Sequence, residues 1–215
     1  MSTVENIIQL SKTKQLKNRT IEIKANGALV KSDCLKQYVD IKTVEACRNG
    51  CPNYGKKWSC PPYSKDFGRI YKKYQNAFVL SMYTDMESYL DIKNKYLAMK
   101  AANVTLKTGV EKAARQLEKQ LNGYALLSGS CRLCKACNCK SNKPCKHPKE
   151  MRYSMEATHL DVNRLSKEVL AHPLLWYSNK TLPEYTSTVS MVLTNMETDI
   201  SALRSMIQDI FEVIV

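Results

Sequence analysis

The sequence has no long uncharged hydrophobic stretch, and it is poor in glycine and proline. No run of about eighteen apolar residues, as a membrane-spanning helix requires, occurs without a charge. Residues 1–20 have no apolar segment long enough for a secretory signal. Seven glycines and seven prolines among 215 residues argue against long disordered linkers. These absences predict a soluble, cytoplasmic protein that does not associate with a membrane.

Acidic residues are also scarce compared with basic ones. The chain has 33 Lys and Arg against 20 Asp and Glu, a formal net charge of +13. This excess indicates an acidic partner, which could be a nucleic acid, an anionic small molecule or an acidic redox protein. A lysine-rich solvated surface explains the charge as well. No RNP-like motif occurs and there are only three phenylalanines, so RNA binding is the weaker interpretation, although twelve tyrosines could stack on bases.

The hydrophobic pattern alternates between strand and helix periods, which predicts an α/β fold with a small sheet flanked by helices. The dipeptide Asn26-Gly27 favours a tight turn, so we expect a hairpin around it. A strand, a helix and a strand in succession imply parallel strands joined by a right-handed crossover. The predicted strand regions are the hairpin within 20–31 and the segments 77–83, 124–129 and 187–194.

Four helices are predicted from apolar spacing and from residues that can cap a helix. Ser64, Asp85 and Asp161 are the expected caps, Gly123 is expected to end the second helix, and the last helix is expected over residues 199–211. The inward face of that second helix is expected to carry Leu106, Val110, Ala113, Ala114, Leu117 and Leu121. Together with the strands, this predicts a single α/β domain over residues 1–215 with cysteine-rich loops at 34–62 and 131–148, at the strand ends.

The chain has nine cysteines, which fall into two groups, four within 34–60 and five within 131–145. A reducing cytosol does not maintain structural disulfides, so metal binding or redox chemistry is the leading explanation. Cys131, Cys134 and Cys137 have the spacing by which one short loop binds three corners of an iron-sulfur cubane. Cys145, and less readily Cys139, could supply the fourth thiolate. Zinc remains an alternative, as do free or redox-active thiols.

The other four cysteines are spaced more loosely. Cys47 and Cys51 fit one turn of helix or a knuckle, and Cys60 is followed by two prolines. If Cys34 joins them, the site is a second closed four-thiolate site. If it does not, one iron is left open to a substrate, and Cys34 is then a small hydrophobic residue. This difference separates an electron carrier from a catalyst.

Basic residues surround the second cysteine group. They could compensate the charge of an anionic cluster or form a docking face for an acidic partner. His147 could bind metal or donate to cluster sulfur, but a surface histidine is the simpler interpretation. The basic residues are Arg132, Lys135, Lys140, Lys143, Lys146, Lys149 and Arg152.

The segment "RYSMEATHLDV", residues 152–162, has two interpretations. Arg152, Glu156, His159 and Asp161 could line a pocket beside the cluster, with Glu156 or His159 transferring protons. In the simpler interpretation, which we favour, Arg152 and Glu156 form a helical ion pair, Asp161 caps a helix and His159 is a turn residue.

Most of the chain resembles a family of cysteine-rich prokaryotic proteins described only as predicted metal-binding proteins, a domain-of-unknown-function family. The resemblance lies in "CRNGCPNYGKKWSCPP" at 47–62, "SGSCRLCKAC" at 128–137 and "PCKHPKEMRYSMEATHLDV" at 144–162. The sequence departs from the family pattern at His159, where we expect glycine, and at Tyr153, where we expect proline. The resemblance implies seven metal ligands: Cys47, Cys51, Cys60, Cys131, Cys134, Cys137 and Cys145.

Three functions follow from these observations. The first is a cytoplasmic iron-sulfur protein with one or two 4Fe-4S clusters, serving electron transfer or a partner enzyme. The second is a cluster-dependent enzyme with an open iron at Cys47, Cys51 and Cys60. The third is a zinc-stabilised, basic RNA-binding protein. The sequence does not decide whether the two cysteine groups form one site or two.

Overall fold

A computed structural model describes residues 7–197 and 199–215 of the chain. It has a five-stranded sheet with helices on both faces, as the α/β prediction required. The strands are β1 (Ile8–Leu16), β2 (Arg19–Lys31), β3 (Asn76–Asp85), β4 (Tyr124–Leu126) and β5 (Tyr185–Thr194). The helices are α1 (Lys42–Gly50), α2 (Phe67–Tyr71), α3 (Lys95–Gln120), α4 (Val162–Val169) and α5 (Ile200–Ile214). Short 3₁₀ helices lie at Ser32–Tyr38, Met86–Tyr89, Asn138–Ser141 and Glu156–Thr158.

The sheet is antiparallel throughout, with the strand order β1-β2-β3-β5-β4. Alternate residues of its central strands face opposite sides, so each side has its own core. Phe78 and Leu80 of β3 face the side that α3 and α5 cover. Ala77 and Val79 of the same strand face the side that α2 and α4 cover. The sheet is therefore buried on both faces, with helices forming the two outer layers.

The hairpin expected around Asn26-Gly27 is wrong. Both residues lie inside β2, and the chain reverses at residues 17–18, between Leu16 and Arg19. Gly27 occurs there because of packing, since a Cβ at this position would clash with the ring of Phe78. A glycine that permits close packing produces the same dipeptide as a turn, and the alternating pattern around it belongs to one long strand.

β3 and β4 run parallel, as predicted, but they are not neighbours in the sheet. Both strands pair antiparallel with β5, so they run parallel to each other with β5 between them. β4 is also shorter than the predicted segment 124–129 and pairs only with Met191–Leu193. The half of β5 that precedes Met191 is therefore an open edge of the sheet.

One of the three predicted helix caps is found where we expected it: the Asp161 side chain accepts a hydrogen bond from a backbone amide in the first turn of α4. Asp199, which we expected to be the first residue of the last helix, caps α5 in the same way. Asp66, rather than Ser64, caps α2, because the Ser64 hydroxyl donates to Ala157 O at 2.7 Å.

The long helix α3 begins and ends differently from the prediction. Asn94, rather than Asp85, caps it, since Asp85 ends β3 and pairs with Lys24 at 2.7 Å. The helix ends at Gln120, before Gly123. Its predicted inward face is confirmed as buried, together with Leu121 just beyond the last helical residue.

No helix in the described residues is long and apolar enough to span a membrane. The expectation about a secretory signal concerns residues 1–20, of which 1–6 lie outside the described part. The two cysteine loops leave the framework at different strands: the first follows β2, and the second follows β4.

Candidate metal centres

The second cysteine group lines one small cavity. Cys131, Cys134, Cys137 and Cys145 all face it, and each is half-buried. Cys139, in contrast, is only 2% exposed and does not line the cavity. Its thiol lies 3.8 Å from Gly55 O, in the first cysteine loop. The structure thus brings together the four ligands that the resemblance implies and leaves Cys139 outside.

His147 lines the same small cavity. Its carbonyl accepts hydrogen bonds from the backbone amides of Glu150 and Met151, which fixes the turn that follows Cys145. The imidazole therefore lies next to the fourth thiol, where it could donate to a cluster sulfur. His147 is half-buried, so the structure agrees with a histidine near the surface as well as with one that faces the cavity.

The first cysteine group lines a second, larger cavity of about 590 Å³. Cys47 lies in α1 and Cys51 directly follows that helix, with the amide of Cys51 donating to Cys47 O at 3.2 Å. The spacing between them is therefore one turn of helix, which carries both thiols to the cavity. Cys60 reaches the same cavity from the buried segment that follows. Cys34 is exposed and does not line it.

Three of the thiols that line the cavities, those of Cys47, Cys60 and Cys131, are partly or fully buried. Burial, together with a smaller contribution from the neighbouring Cys51 thiol, raises the pKa of Cys47 to about 11. Burial also raises the pKa of Cys60 and of Cys131. Without metal these thiols stay protonated at neutral pH, so a bound metal must displace their protons. Reactive cysteines usually have a lowered pKa, which argues against a redox-active dithiol.

The two cavities are neighbours, and the loop between Cys51 and Cys60 joins them. Lys57 Nζ donates to Ser130 Oγ at 3.1 Å and to Cys131 O at 2.7 Å. The buried Ser59 hydroxyl accepts from the amide of Cys131 at 3.0 Å. On the outer side, Trp58 Nε1 donates to Lys143 O at 3.0 Å. The cysteine groups therefore line two separate cavities, each with its own thiols, that share a common wall.

In the segment 152–162, one candidate residue lines a cavity, as the first interpretation expected, and the others have structural roles, as the second expected. Arg152 pairs with Glu118 of α3 rather than with Glu156, so the predicted helical ion pair is wrong. Asp161 is a helix cap, as expected. His159 is a turn residue with a φ of 73°, a left-handed conformation that suits the glycine expected at this position.

Of Arg152, Glu156, His159 and Asp161, Glu156 alone belongs to the wall of a cavity that thiols line. It lines the large cavity next to Cys47 and interacts electrostatically with that thiol. Burial raises its pKa, whereas a hydrogen bond with Ser154 and the charge of Lys107 lower it. A half-buried carboxyl with a raised pKa in a cavity that three thiols line is a candidate for holding or moving a proton.

The donor chemistry of both sites fits an iron-sulfur cluster. Four thiols around one cavity supply every ligand of a cubane, and three thiols leave one iron to another ligand. Within residues 7–197 and 199–215, no three His, Cys, Asp or Glu side chains are arranged to hold a single metal ion. Cysteine thiolates are ligands of zinc as well as of iron-sulfur clusters.

The space between the four thiols of the second site is about 20 Å³. It holds little more than a water molecule, so a cluster can enter only if the thiol side chains rotate outward. Cys134 and Cys137 lie in a loop at the surface, with exposed Lys135 and Ala136 between them and exposed Lys140 after them. The loop therefore has room to open toward solvent.

Two of the seven basic residues around the second group are neutralised by acids. Arg132 pairs with Glu111 at 2.6 Å, and Arg152 pairs with Glu118. The five lysines are all exposed, and none forms an ion pair with any residue that the structure describes. They are Lys135, Lys140, Lys143, Lys146 and Lys149.

A basic surface cavity adjoins the second site. It has a volume of about 320 Å³, and Met151 belongs to its wall and to the wall of the thiol cavity. Its described lining contains three tyrosines, Tyr74, Tyr124 and Tyr153, and no acidic residue. Its basic residues, which we call the basic patch, are Lys65, Arg69, Lys73, Lys149 and Arg152.

Several residues at the sites were not found from the sequence. Lys57, Trp58 and Ser59 join the two cysteine groups, and their position between Cys51 and Cys60 was the available clue. Lys100 and Lys107 line the large cavity from α3, and only their spacing of two helical turns placed them on one face.

Comparison with known proteins gives one match. A family model described as "Predicted metal-binding protein (DUF2284)" matches residues 34–194, from the first cysteine to the end of β5. No curated protein and no solved structure matches the chain.

Proposed function

We propose, for a chain that belongs to the DUF2284 family of predicted metal-binding proteins, that it is a cytoplasmic iron-sulfur protein with two 4Fe-4S sites. The observation that carries this proposal is the sorting of seven cysteines between two adjoining cavities, four around one and three around the other. Four thiolates complete the coordination of a cubane, and three leave one iron without a thiolate. The family itself is described as metal-binding and no further.

The second site serves electron transfer in this proposal. Cys131, Cys134, Cys137 and Cys145 would each bind one iron, so no position remains for a substrate. The surrounding lysines stabilise the anionic cluster and raise its reduction potential. A closed cluster in a basic environment is suited to accept and release single electrons.

The first site is proposed to be catalytic, with Cys47, Cys51 and Cys60 as ligands. Support comes from the exposed position of Cys34, away from a cavity that the other three thiols share. The cavity is far larger than the space at the second site, and Glu156 lies in its wall. An open iron would act there as a Lewis acid, and Glu156 is placed to hold or move a proton beside it.

An acidic redox protein is the proposed partner of the second site. The basic patch adjoins the wall of the thiol cavity and carries no acid in its lining. Complementary charge speeds association and orients the partner, and the partner would then lie close to the cluster. Docking on this patch would be weakened by salt.

Anaerobic purification with iron and sulfide analysis and EPR tests the proposal. We expect about eight irons and eight sulfides per chain, since each cubane contains four of each. Cys134→Ser should remove about half of the iron, and Cys51→Ser the other half. Zinc in place of iron would contradict the proposal.

Two control variants separate the ligands from the other cysteines. Cys34→Ser matches Cys51→Ser because both thiols are exposed, and Cys139→Ala matches Cys134→Ser within one loop. Both controls should keep the full iron content. Loss of one cluster in Cys34→Ser would show that the first site is closed and that the protein is a carrier rather than an enzyme.

A further inference from the structure

The large cavity extends well beyond the three thiols. Its volume of about 590 Å³ is within the range of small-molecule sites. Its far wall is built by α3 and by the open edge of β5, where β4 has already ended. A ligand in this space would lie with one end at the thiols and the other against that wall.

The charge on this wall is positive. Lys100 and Lys107 lie two turns apart on α3, and both line the cavity. Among the described residues, no carboxylate lies within ion-pair distance of either ammonium. The ammonium of Lys100 lies over the ring of Tyr96, 5.1 Å from its centroid. Glu156 is the only acid among the described lining residues. Unpaired cations in a partly enclosed cavity favour an anionic ligand.

Unused hydroxyl groups line the same wall. Ser187 Oγ and Thr188 Oγ1, on β5, are buried and have no hydrogen-bond partner among the described residues. Thr188 is only 5% exposed. A buried hydroxyl without a partner costs stability, so its presence in a cavity wall indicates that a ligand supplies the partner.

The mouth of the cavity offers an apolar surface. Trp176 is 68% exposed and Tyr96 is 52% exposed, although both are large aromatic residues, and both line the cavity. Exposed aromatic residues next to cations are suited to a ligand with an apolar body and an acidic group.

We propose that this cavity binds a small organic anion, a carboxylate or a phosphate ester, with its acidic group held by Lys100 and Lys107 and its apolar part against Trp176. Thr188 donates a hydrogen bond to the bound anion. As a substrate site the cavity rests on the proposed open iron, but as a binding site it does not. The inference therefore has its own test.

Isothermal titration calorimetry on the anaerobically purified protein, with iron measured in the same sample, provides that test. The probes are benzoate, phenyl phosphate and the uncharged benzamide. At least one anionic probe should bind about tenfold more tightly than benzamide, as expected for one charge-assisted contact. Benzoate alone would identify the ligand as a carboxylate, and phenyl phosphate alone would identify it as a phosphate ester. Binding by neither anion, or equal binding by benzamide, would overturn the inference.

The variants locate the binding. Lys107→Gln and Lys100→Gln should each weaken the anionic probe about tenfold. Lys112→Gln removes the same charge from the same helix, but Lys112 lines a different cavity, so binding should not change. Equal weakening by Lys112→Gln would show that only the general charge of the protein attracts the probe.

Thr188→Val provides a variant that should fold normally. The hydroxyl has no partner among the described residues, so its removal should not lower the urea midpoint, while anion binding should weaken. Unchanged binding in this variant would exclude the role of Thr188. Anion binding by a protein without iron would refute the proposed function and leave this inference standing. An iron-loaded protein that binds no anion would support the proposed function and overturn this inference.

Discussion

The ion pair between Arg152 and Glu118 fixes the end of the second cysteine loop to α3. Arg152 also donates to Lys149 O at 2.7 Å and to Met151 O at 2.9 Å, and it lies over the ring of Tyr124 at 4.9 Å. Glu118 accepts a further hydrogen bond from the amide of Ala125, at 2.7 Å. One guanidinium thus holds the chain just beyond Cys145, so its removal should affect both stability and cluster binding.

We predict that Arg152→Met lowers the free energy of unfolding by about 3 kcal/mol. Breaking a buried ion pair costs about 3–5 kcal/mol, because the remaining charge stays buried without a partner. The Arg152 side chain is 15% exposed and the Glu118 side chain 11% exposed, so the lower end of that range applies. For a chain of this size, about 3 kcal/mol corresponds to a fall in Tm of about 6–12 °C.

Urea unfolding followed by circular dichroism measures this loss, and a double-mutant cycle assigns it. Arg152→Met/Glu118→Gln leaves no buried charge and keeps an acceptor for the amide of Ala125. It should recover about 2 kcal/mol of the loss, since most of the penalty comes from the unpaired carboxylate. A loss below about 1 kcal/mol in the single variant, as for an exposed pair, would refute the reasoning. So would a double variant no more stable than the single one.

Three further predictions concern single positions. Gly27→Ala should lower the free energy of unfolding by about 1–3 kcal/mol, because the added Cβ clashes with the ring of Phe78. The control Gly50→Ala should not lower it, because a Cβ there contacts nothing within 4 Å. Urea unfolding midpoints of the two variants measure the difference. His159→Gly should raise the free energy of unfolding by about 0.5–1 kcal/mol by relieving the left-handed conformation, and His159→Val should lower it. Burial lowers the pKa of His172. Below the ordinary histidine pKa of about 6.5, the unfolded chain therefore binds a proton at His172 that the folded chain does not, so stability falls as the pH drops. His172→Gln should remove the part of this loss that comes from His172. Urea unfolding midpoints of both proteins, measured across this pH range, test the prediction.

Local patterns predicted the elements of this fold better than their arrangement. The inward face of α3 was found because buried residues three and four apart are a direct consequence of helix geometry. The cap at Asp161 was found because its side chain bonds an amide three residues later. Such features depend on neighbours in the sequence, which the sequence itself displays.

The arrangement of the sheet depended on contacts between distant residues. Nothing near Gly27 indicates that the ring of Phe78 will pack against it, so the dipeptide was assigned to a turn. Likewise, the insertion of β5 between β3 and β4 depends on a strand that follows both of them in the chain. Pairings of this kind leave no local pattern.

The candidate site was predictable in its thiols and not in its surroundings. Cysteine spacing identified both groups, because a metal imposes a short loop on its ligands. The lysines and hydroxyls of the large cavity come from α3 and β5, where Lys100 resembles any exposed helical lysine and Thr188 any strand residue. Their common location follows only from the early end of β4.

The shared wall between the two sites has a consequence for the proposed chemistry. The charge of Lys57 acts on the thiols of both Cys60 and Cys131, where it partly offsets the rise in pKa that burial causes. One ammonium therefore favours negative charge on two thiols that line different cavities. If both proposed clusters are bound, Lys57 would stabilise the negative charge of each. The charge of one cluster would then influence the other, and this coupling would be a physical reason for the two sites to adjoin.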